Sequence, residues 1–235
     1  MYLIRAARWH DPAELRRRPQ LWRRVRRFNL PVQLAVAAAE DVAADARDPA
    51  TAALLSLAPC HTGSPDLFAG VLALAAAERG QAGTLRVNPV VTLHAVDNLA
   101  LSALAIALGN HAYGLGLGGG PGQAWVALEI AGERLADGRE SEVLVVAGDQ
   151  DVAAGDAGEA VALLFADRPA SGGKSWRLTA VRRTPDETHG VEPHAAAGLV
   201  ALLAALAAAE ERLVYEVPAV HGDGRDRVEL EWEAA

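Results

Sequence analysis

Six glycines crowd into the nine positions from 114 to 122, in the stretch GLGLGGGPG. Residues 114–119 match G-x-G-x-x-G, a spacing with which backbone N–H groups can approach the pyrophosphate of a dinucleotide. That chemistry also needs a strand before the glycines and a helix that begins on them. Here a helix-like segment, residues 98–108, ends only a few residues before the motif. This context disfavours a nucleotide-binding site, which we keep as a less favoured alternative.

Cys60 and His61 place a thiol next to a base. Adjacent residues rarely turn their side chains toward each other, and catalytic Cys/His pairs are normally assembled from distant parts of a chain. An inert cysteine at a strand end is therefore the favoured interpretation. The histidines show neither H-x-x-x-H nor H-E-x-x-H spacing, so the sequence predicts no zinc site.

Three carboxylates, Asp149, Asp151 and Asp156, follow the apolar run at residues 142–147. Carboxylates at the end of a strand are suitable ligands for Mg²⁺. No phosphate-binding motif accompanies them, so a solvated loop is favoured over a metal site. We expect neither a metal nor a cofactor.

The charge is unevenly distributed along the 235 residues. Residues 1–27 hold nine arginines against Asp11 and Glu14, a balance of +7, so the other 208 residues carry −15 of the total of −8. An acidic body repels nucleic acid, and the asymmetry favours a partner protein with an acidic surface.

The sequence also predicts the compartment. The single cysteine excludes an internal disulfide and a cysteine-rich metal site. The N-terminus lacks the apolar core of a signal peptide. The longest apolar run, residues 195–209, is shorter than the roughly 20 residues of a membrane-spanning helix. We expect a cytoplasmic protein without a membrane partner.

Apolar periodicity and Gly/Pro breaks predict the elements that position these residues. The predicted helices are an arginine-rich segment 9–27 interrupted at Pro19, then 30–46, 66–79, 98–108, 123–137 and 195–212. The predicted strands are 51–58, 142–147, 160–165, 176–182, 213–220 and 227–233. Strands alternating with helices predict an α/β sandwich. We divide the chain into an arginine-rich N-terminal segment, 1–29, and one domain, 30–235.

One longer stretch carries a family resemblance. Residues 88–109, NPVVTLHAVDNLALSALAIALG, are followed by the glycines and by GQAWVALEIAGERLADGRESEVLVVAGDQD. This resembles the N-terminal half of β-ketoacyl synthases, which have the thiolase-like fold. The family markers occur in the family's order at Asn88-Pro89, Asn98, Gly109, Gly138 and Gly148, whereas Leu101-Ser102 replaces its Ala-Gly. The resemblance implies half of a ketosynthase fold, a layered α/β structure with a mixed sheet covered by helices.

The place of the family's nucleophilic cysteine is decisive for function. Without gaps it falls on Pro121, and with a two-residue slip on Gln123; neither is a thiol. The resemblance therefore implies a non-catalytic subunit, a chain-length factor of type II polyketide or aryl-polyene systems. Its partners would be an active ketosynthase, in a heterodimer or a dimer of heterodimers, and an acyl carrier protein. A decarboxylase of carrier-bound malonyl groups that uses Gln123 is the alternative enzyme.

The same resemblance suggests two sets of site residues. Expected dimer-interface residues are Asn88, Pro89, His94, Asn98, Leu101 and Ala105. Expected tunnel-lining residues, at helical spacing within 66–79, are Phe68, Val71, Leu72 and Ala75; ordinary core packing is the alternative for this apolar stripe.

Overall fold

The computed structural model describes residues 1–57, 99–118, 123–151, 157–170, 175–186, 195–208, 212–218 and 225–234. Its helices are α1 (Pro12–Arg16), α2 (Pro19–Val25), α3 (Leu30–Ala43), α4 (Leu99–Leu108), α5 (Gln123–Ala136) and α6 (Ala195–Ala207). Its strands are β1 (Tyr2–Trp9), β2 (Ala53–Leu57), β3 (Gly114–Leu117), β4 (Glu142–Asp151), β5 (Ala157–Ala166), β6 (Trp176–Asp186), β7 (Arg212–Pro218) and β8 (Arg225–Ala234).

These strands form one mixed sheet in the order β3-β2-β4-β5-β1-β6-β8-β7. β2 runs parallel to both of its neighbours, β3 and β4. The remaining neighbours pair antiparallel. β1 meets β6 over only two residue pairs, Tyr2 with Arg177 and Leu3 with Trp176. The sheet therefore has a parallel end at β3 and an antiparallel end at β7.

Helices cover both faces of the sheet. Along β4, Val143 and Val145 pack in the apolar core that contains α5 and α6. The alternate residues, Leu144 and Val146, pack in the core that contains α1 to α4. Central strands buried on both faces need apolar side chains at nearly every position, which accounts for the unbroken run VLVVA. The predicted layered α/β fold is confirmed.

Helix α3 approaches the sheet very closely. Asn29 caps its first turn, with Oδ1 accepting from the Val32 N–H at 3.4 Å, and Pro31 fits the first turn because no helical partner is needed there. A Cβ placed on Gly148 would lie 2.5 Å from the Pro31 carbonyl oxygen. A Cβ on Gly158 would lie 2.8 Å from Leu34 Cδ1. The absence of a side chain at Gly148 and Gly158 allows α3 to pack this close to β4 and β5.

Most predicted elements within the described residues are present, with ends shifted by a few residues. Helices α4 and α5 end before Gly109 and Gly138, which adopt φ of 62° and 66° and so terminate them. The predicted helix 66–79 lies outside the described residues. The arginine content suggests a boundary at residue 29, but β1, which sequence analysis does not predict, lies inside the sheet.

The described part of the acidic segment after residue 147 is strand and not the solvated loop that the sequence predicts. Asp149 and Asp151 belong to β4 and pair with Glu159 and Ala157 of β5, while Asp156 lies outside the described residues. In the part of the chain that the structure describes, no group of three or more His, Cys, Asp or Glu is arranged to hold a metal ion. Nor is any helix in that part long and apolar enough to cross a membrane.

Candidate functional site at the β3 edge

Strand β3 is the first strand of the sheet, and it contains the start of the glycine motif. Leu54 to Leu57 of β2 pair in parallel with Gly114 to Leu117, and no described strand pairs with the other side of β3. The glycines at 114 and 116 therefore lie in a β-ladder rather than in a turn between a strand and a helix. A dinucleotide fingerprint requires that turn, so this arrangement argues against the nucleotide alternative.

Hydrogen bonds hold the connection between α4 and β3 against the start of β2. The side-chain amide of Asn110 donates to the carbonyl oxygens of Pro49 and Ala52, both at 2.8 Å. The Leu54 N–H donates to the Tyr113 carbonyl oxygen at 2.9 Å. Four residues rich in glycine have little strand propensity of their own, so these bonds fix where β3 begins.

Helix α4 lies beside β3 and is apolar except for Ser102, with the sequence LALSALAIAL. Leu99, Ala100, Ala103 and Leu104 are buried in the core. Leu101 packs on the strand, because a Cβ at Gly114 would lie 3.4 Å from Leu101 Cδ1. The opposite side is uncovered: the Ile106 side chain is 81% exposed. A helix this apolar normally buries most of its circumference, so the exposure of Ile106 leaves an unusual amount of apolar surface in solvent.

Tyr113 supplies a second apolar group immediately before β3. Its ring is 37% exposed and lies against the guanidinium of Arg134, with 3.4 Å between Cζ and the ring centroid. Tyr113 and Ile106 are the exposed large hydrophobic residues of the described part of the chain. Tyr113 directly precedes β3, and Ile106 lies on α4, which packs beside that strand. We call β3 together with Ile106 and Tyr113 the β3 edge.

At the far end of β3 the chain enters α5. Gln123 is the first residue of this helix, and its Cγ and Cδ would lie 3.9 Å from a Cβ on Gly118. Two residues later, Trp125 is 2% exposed and its Nε1 has no hydrogen-bond partner. The first turn of a helix presents free N–H groups and a partial positive charge, which favour a carbonyl oxygen or an anion. The side chain of Gln123 is an amide, which can form hydrogen bonds but is not a nucleophile.

The structure places some of the predicted site residues at β3. Leu101 packs near its start, Ala105 is half-buried on α4, and Gln123 lies beyond its end. The others lie outside the described residues: Phe68, Val71, Leu72, Ala75, Asn88, Pro89, His94, Asn98 and Pro121, as do Cys60 and His61. Sequence analysis did not single out Ile106 or Tyr113. The signal for Ile106 was the almost wholly apolar sequence of α4, in which Ser102 is the one polar residue.

Comparisons with solved structures identify the fold. The ishigamide ketosynthase/chain length factor aligns with a TM-score of 0.50 at 18% identity, over 70% of this chain and 51% of that one. A tetronic acid condensing enzyme aligns with a TM-score of 0.43 at 21% identity, over 79% and 55%. A β-ketoacyl synthase from Burkholderia phymatum gives 0.47 at 14%, over 80% and 56%.

The chain has a ketosynthase-like fold of the thiolase type, as its likeness to the ishigamide protein shows. It spans about half the length of these relatives. No protein-family model matches the sequence, and no curated protein matches it.

Proposed function

We propose that this chain is a non-catalytic ketosynthase-like subunit, a chain-length factor, that pairs with an active ketosynthase and forms part of its acyl tunnel. One observation carries the proposal: no residue between β3 and the first turn of α5 is a cysteine. The single cysteine, Cys60, follows β2 instead. A thiolate at the start of a helix is the group that would accept an acyl chain from a carrier protein. Pro121 and Gln123 cannot form that thioester.

The β3 edge supports pairing with another protein. An unpaired strand edge offers free N–H and C=O groups, and natural proteins normally cover or blunt such edges. Ile106 on α4 and Tyr113 immediately before β3 add exposed apolar surface. The family resemblance supplies the identity of the occupant, an active ketosynthase. The partner ketosynthase would build an acyl or polyene chain that is held by an acyl carrier protein, and the complex would act in the cytoplasm.

Co-purification with a ketosynthase encoded in the same gene neighbourhood tests this proposal. We expect a stable 1:1 complex on size-exclusion chromatography. Ile106→Glu should weaken the complex by at least about tenfold, because a charge would be buried in the interface. Ala204→Glu is the matched control, since Ala204 is exposed on α6, on the opposite face of the sheet. A covalent acyl group on the isolated chain, or equal complex formation by both variants, would contradict the proposal.

The position of Gln123 supports a second candidate function, decarboxylation of malonyl groups on a carrier protein. Cleavage of the bond to the carboxylate would release CO2 and leave an enolate that takes a proton from water. The side-chain amide and the free N–H groups of the first turn of α5 would stabilise the negative charge on the thioester oxygen. Release of CO2 by the isolated chain, lost in Gln123→Ala, would support this function. Absence of turnover by the wild-type chain would exclude it.

A further inference from the structure

The arginines near the N-terminus are of two kinds. Arg18 and Arg24 are bound to carboxylates of α3, Arg18 to Asp41 and Arg24 to Glu40. The Arg18 guanidinium also lies 4.6 Å from the centre of the Trp9 ring, and the Trp9 Nε1–H donates to Asp41 at 2.9 Å. The hydrogen bond to Asp41 raises the pKa of Arg18. These contacts fix α2 on α3.

The second kind faces outward. Arg17, Arg23, Arg26 and Arg27 are exposed, and none forms a side-chain ion pair or hydrogen bond within the described residues. We call these four the arginine face. The apolar side of the same segment, Leu15, Leu21 and Val25, is buried in the core with α3. The arginine face is therefore presented by a packed helix pair.

Arginines elsewhere in the molecule behave differently. Beyond residue 27, every arginine whose side chain the structure describes pairs with a carboxylate: Arg47, Arg134, Arg139, Arg168 and Arg177. Among the side chains that the structure describes, the uncompensated arginine charge is thus concentrated near the N-terminus of a protein whose net charge is −8. Like charges held together repel one another, and a partner of opposite charge relieves that repulsion.

We infer that the arginine face is a docking surface for an acidic protein, one that presents aspartate and glutamate side chains along a helix. Arg23 in the last turn of α2 and its helical C-cap, Arg26, are three residues apart, and carboxylates three or four residues apart on a facing helix are similarly spaced. The guanidinium group can bind a carboxylate through two parallel hydrogen bonds.

The charge distribution favours a protein over a nucleic acid or a membrane. A duplex or an anionic bilayer extends well beyond the arginine face and would meet the −15 of the remaining chain. No exposed aromatic ring accompanies the arginines for base stacking, because Trp22 is half-buried and the Arg16 guanidinium lies 5.8 Å from its ring.

The inference does not depend on the proposed function. The arginine face lies on α2 and on the C-terminal ends of α1 and α2, and these helices pack on α3 above β1, β4 and β5. The β3 edge lies beyond β2 at the end of the sheet. The two surfaces are distinct, so substitutions at one test it without altering the other.

Fluorescence anisotropy with a labelled helical peptide, about 30 Å long and carrying glutamates at i and i+4, tests the docking surface. The same peptide with glutamine in place of glutamate is the ligand control. The triple variant Arg23→Gln, Arg26→Gln, Arg27→Gln should bind the acidic peptide about tenfold more weakly. The matched variant Arg139→Gln, Arg168→Gln, Arg177→Gln removes the same charge from other exposed positions and should change binding less than about twofold.

Binding should also weaken as salt rises from about 50 mM to about 300 mM, and circular dichroism should show both triple variants folded. Equal loss in the two variants, or equal binding of the glutamine peptide, would overturn the inference. So would tighter binding of a DNA duplex or of phosphatidylserine vesicles, lost in the first triple variant.

Discussion

The Arg134 guanidinium stacks on the Tyr113 ring while its Nη2 donates to Glu140 Oε1 at 2.6 Å. The contact joins the last turn of α5 to the residue that precedes β3. Helices α4 and α5 lie on opposite faces of the sheet, so the start of the edge strand is held from both sides. The geometry of the β3 edge therefore depends on a residue outside it.

Arg134→Met should lower the free energy of unfolding by about 2 kcal/mol, because it leaves a half-buried Glu140 carboxylate without its partner. Urea denaturation measures the change. Arg139→Met is the control: its pair with Asp137 is exposed, 65% and 54%, and should contribute less than about 0.5 kcal/mol. Equal effects of the two substitutions would refute the importance of the Arg134 contacts.

Gly148→Ala should destabilise the protein by about 3 kcal/mol, because the added methyl group would overlap the Pro31 carbonyl oxygen and push α3 from the sheet. Gly118→Ala places its methyl group at an ordinary 3.9 Å from Gln123 and should change stability by less than about 1 kcal/mol. Thermal unfolding compares the two. A Gly148→Ala protein as stable as the wild type would show that α3 lies farther from β4.

Asn110→Ala should lower the free energy of unfolding by about 1–2 kcal/mol, since the carbonyls of Pro49 and Ala52 each lose a donor. Amide hydrogen exchange in β3 should become faster. Thr51→Ala, which removes an exposed hydrogen bond to Asp48 in the same region, should leave exchange in β3 unchanged. If β3 exchanges at the wild-type rate in Asn110→Ala, the strand is held by its pairing with β2 alone.

Asp41→Asn should destabilise the protein by about 1–2 kcal/mol, because Asp41 accepts from both Trp9 and Arg18. Asp45→Asn, in an exposed pair with Arg5, should have an effect below about 0.5 kcal/mol. Urea denaturation distinguishes them. Indistinguishable midpoints would mean that α2 does not need this carboxylate to stay on α3.

Local signals were sufficient to place the start of α3 and the ends of α4 and α5. Pro31 marks the first turn of α3, and Gly109 and Gly138 mark the ends of α4 and α5, because these residues favour such backbone positions whatever the rest of the chain does. The long apolar run of β4 likewise indicated a buried strand.

Long-range pairing explains what sequence analysis missed. Arg5 and Arg8 give β1 a charged appearance, but Arg8 pairs with Glu159 of the adjacent β5, and the strand is stabilised by that neighbour. Asp149 and Asp151 look like loop residues, yet the ladder with β5 continues through them. The exposure of Ile106 depends on which side of α4 meets the core, and composition alone does not determine that.

The glycines beneath α3 also decide how β4 and β5 align. The central residues of both strands, 143–147 and 160–165, are apolar on each face. Sliding one strand past the other by a single residue would therefore exchange one apolar surface for another there, at little cost in solvation. Only one alignment brings Gly148 and Gly158 under the start of the helix. In any other alignment a side chain would occupy the space that α3 needs, so the steric fit of the helix specifies the register of β4 and β5. Burial of apolar surface alone would not distinguish the registers.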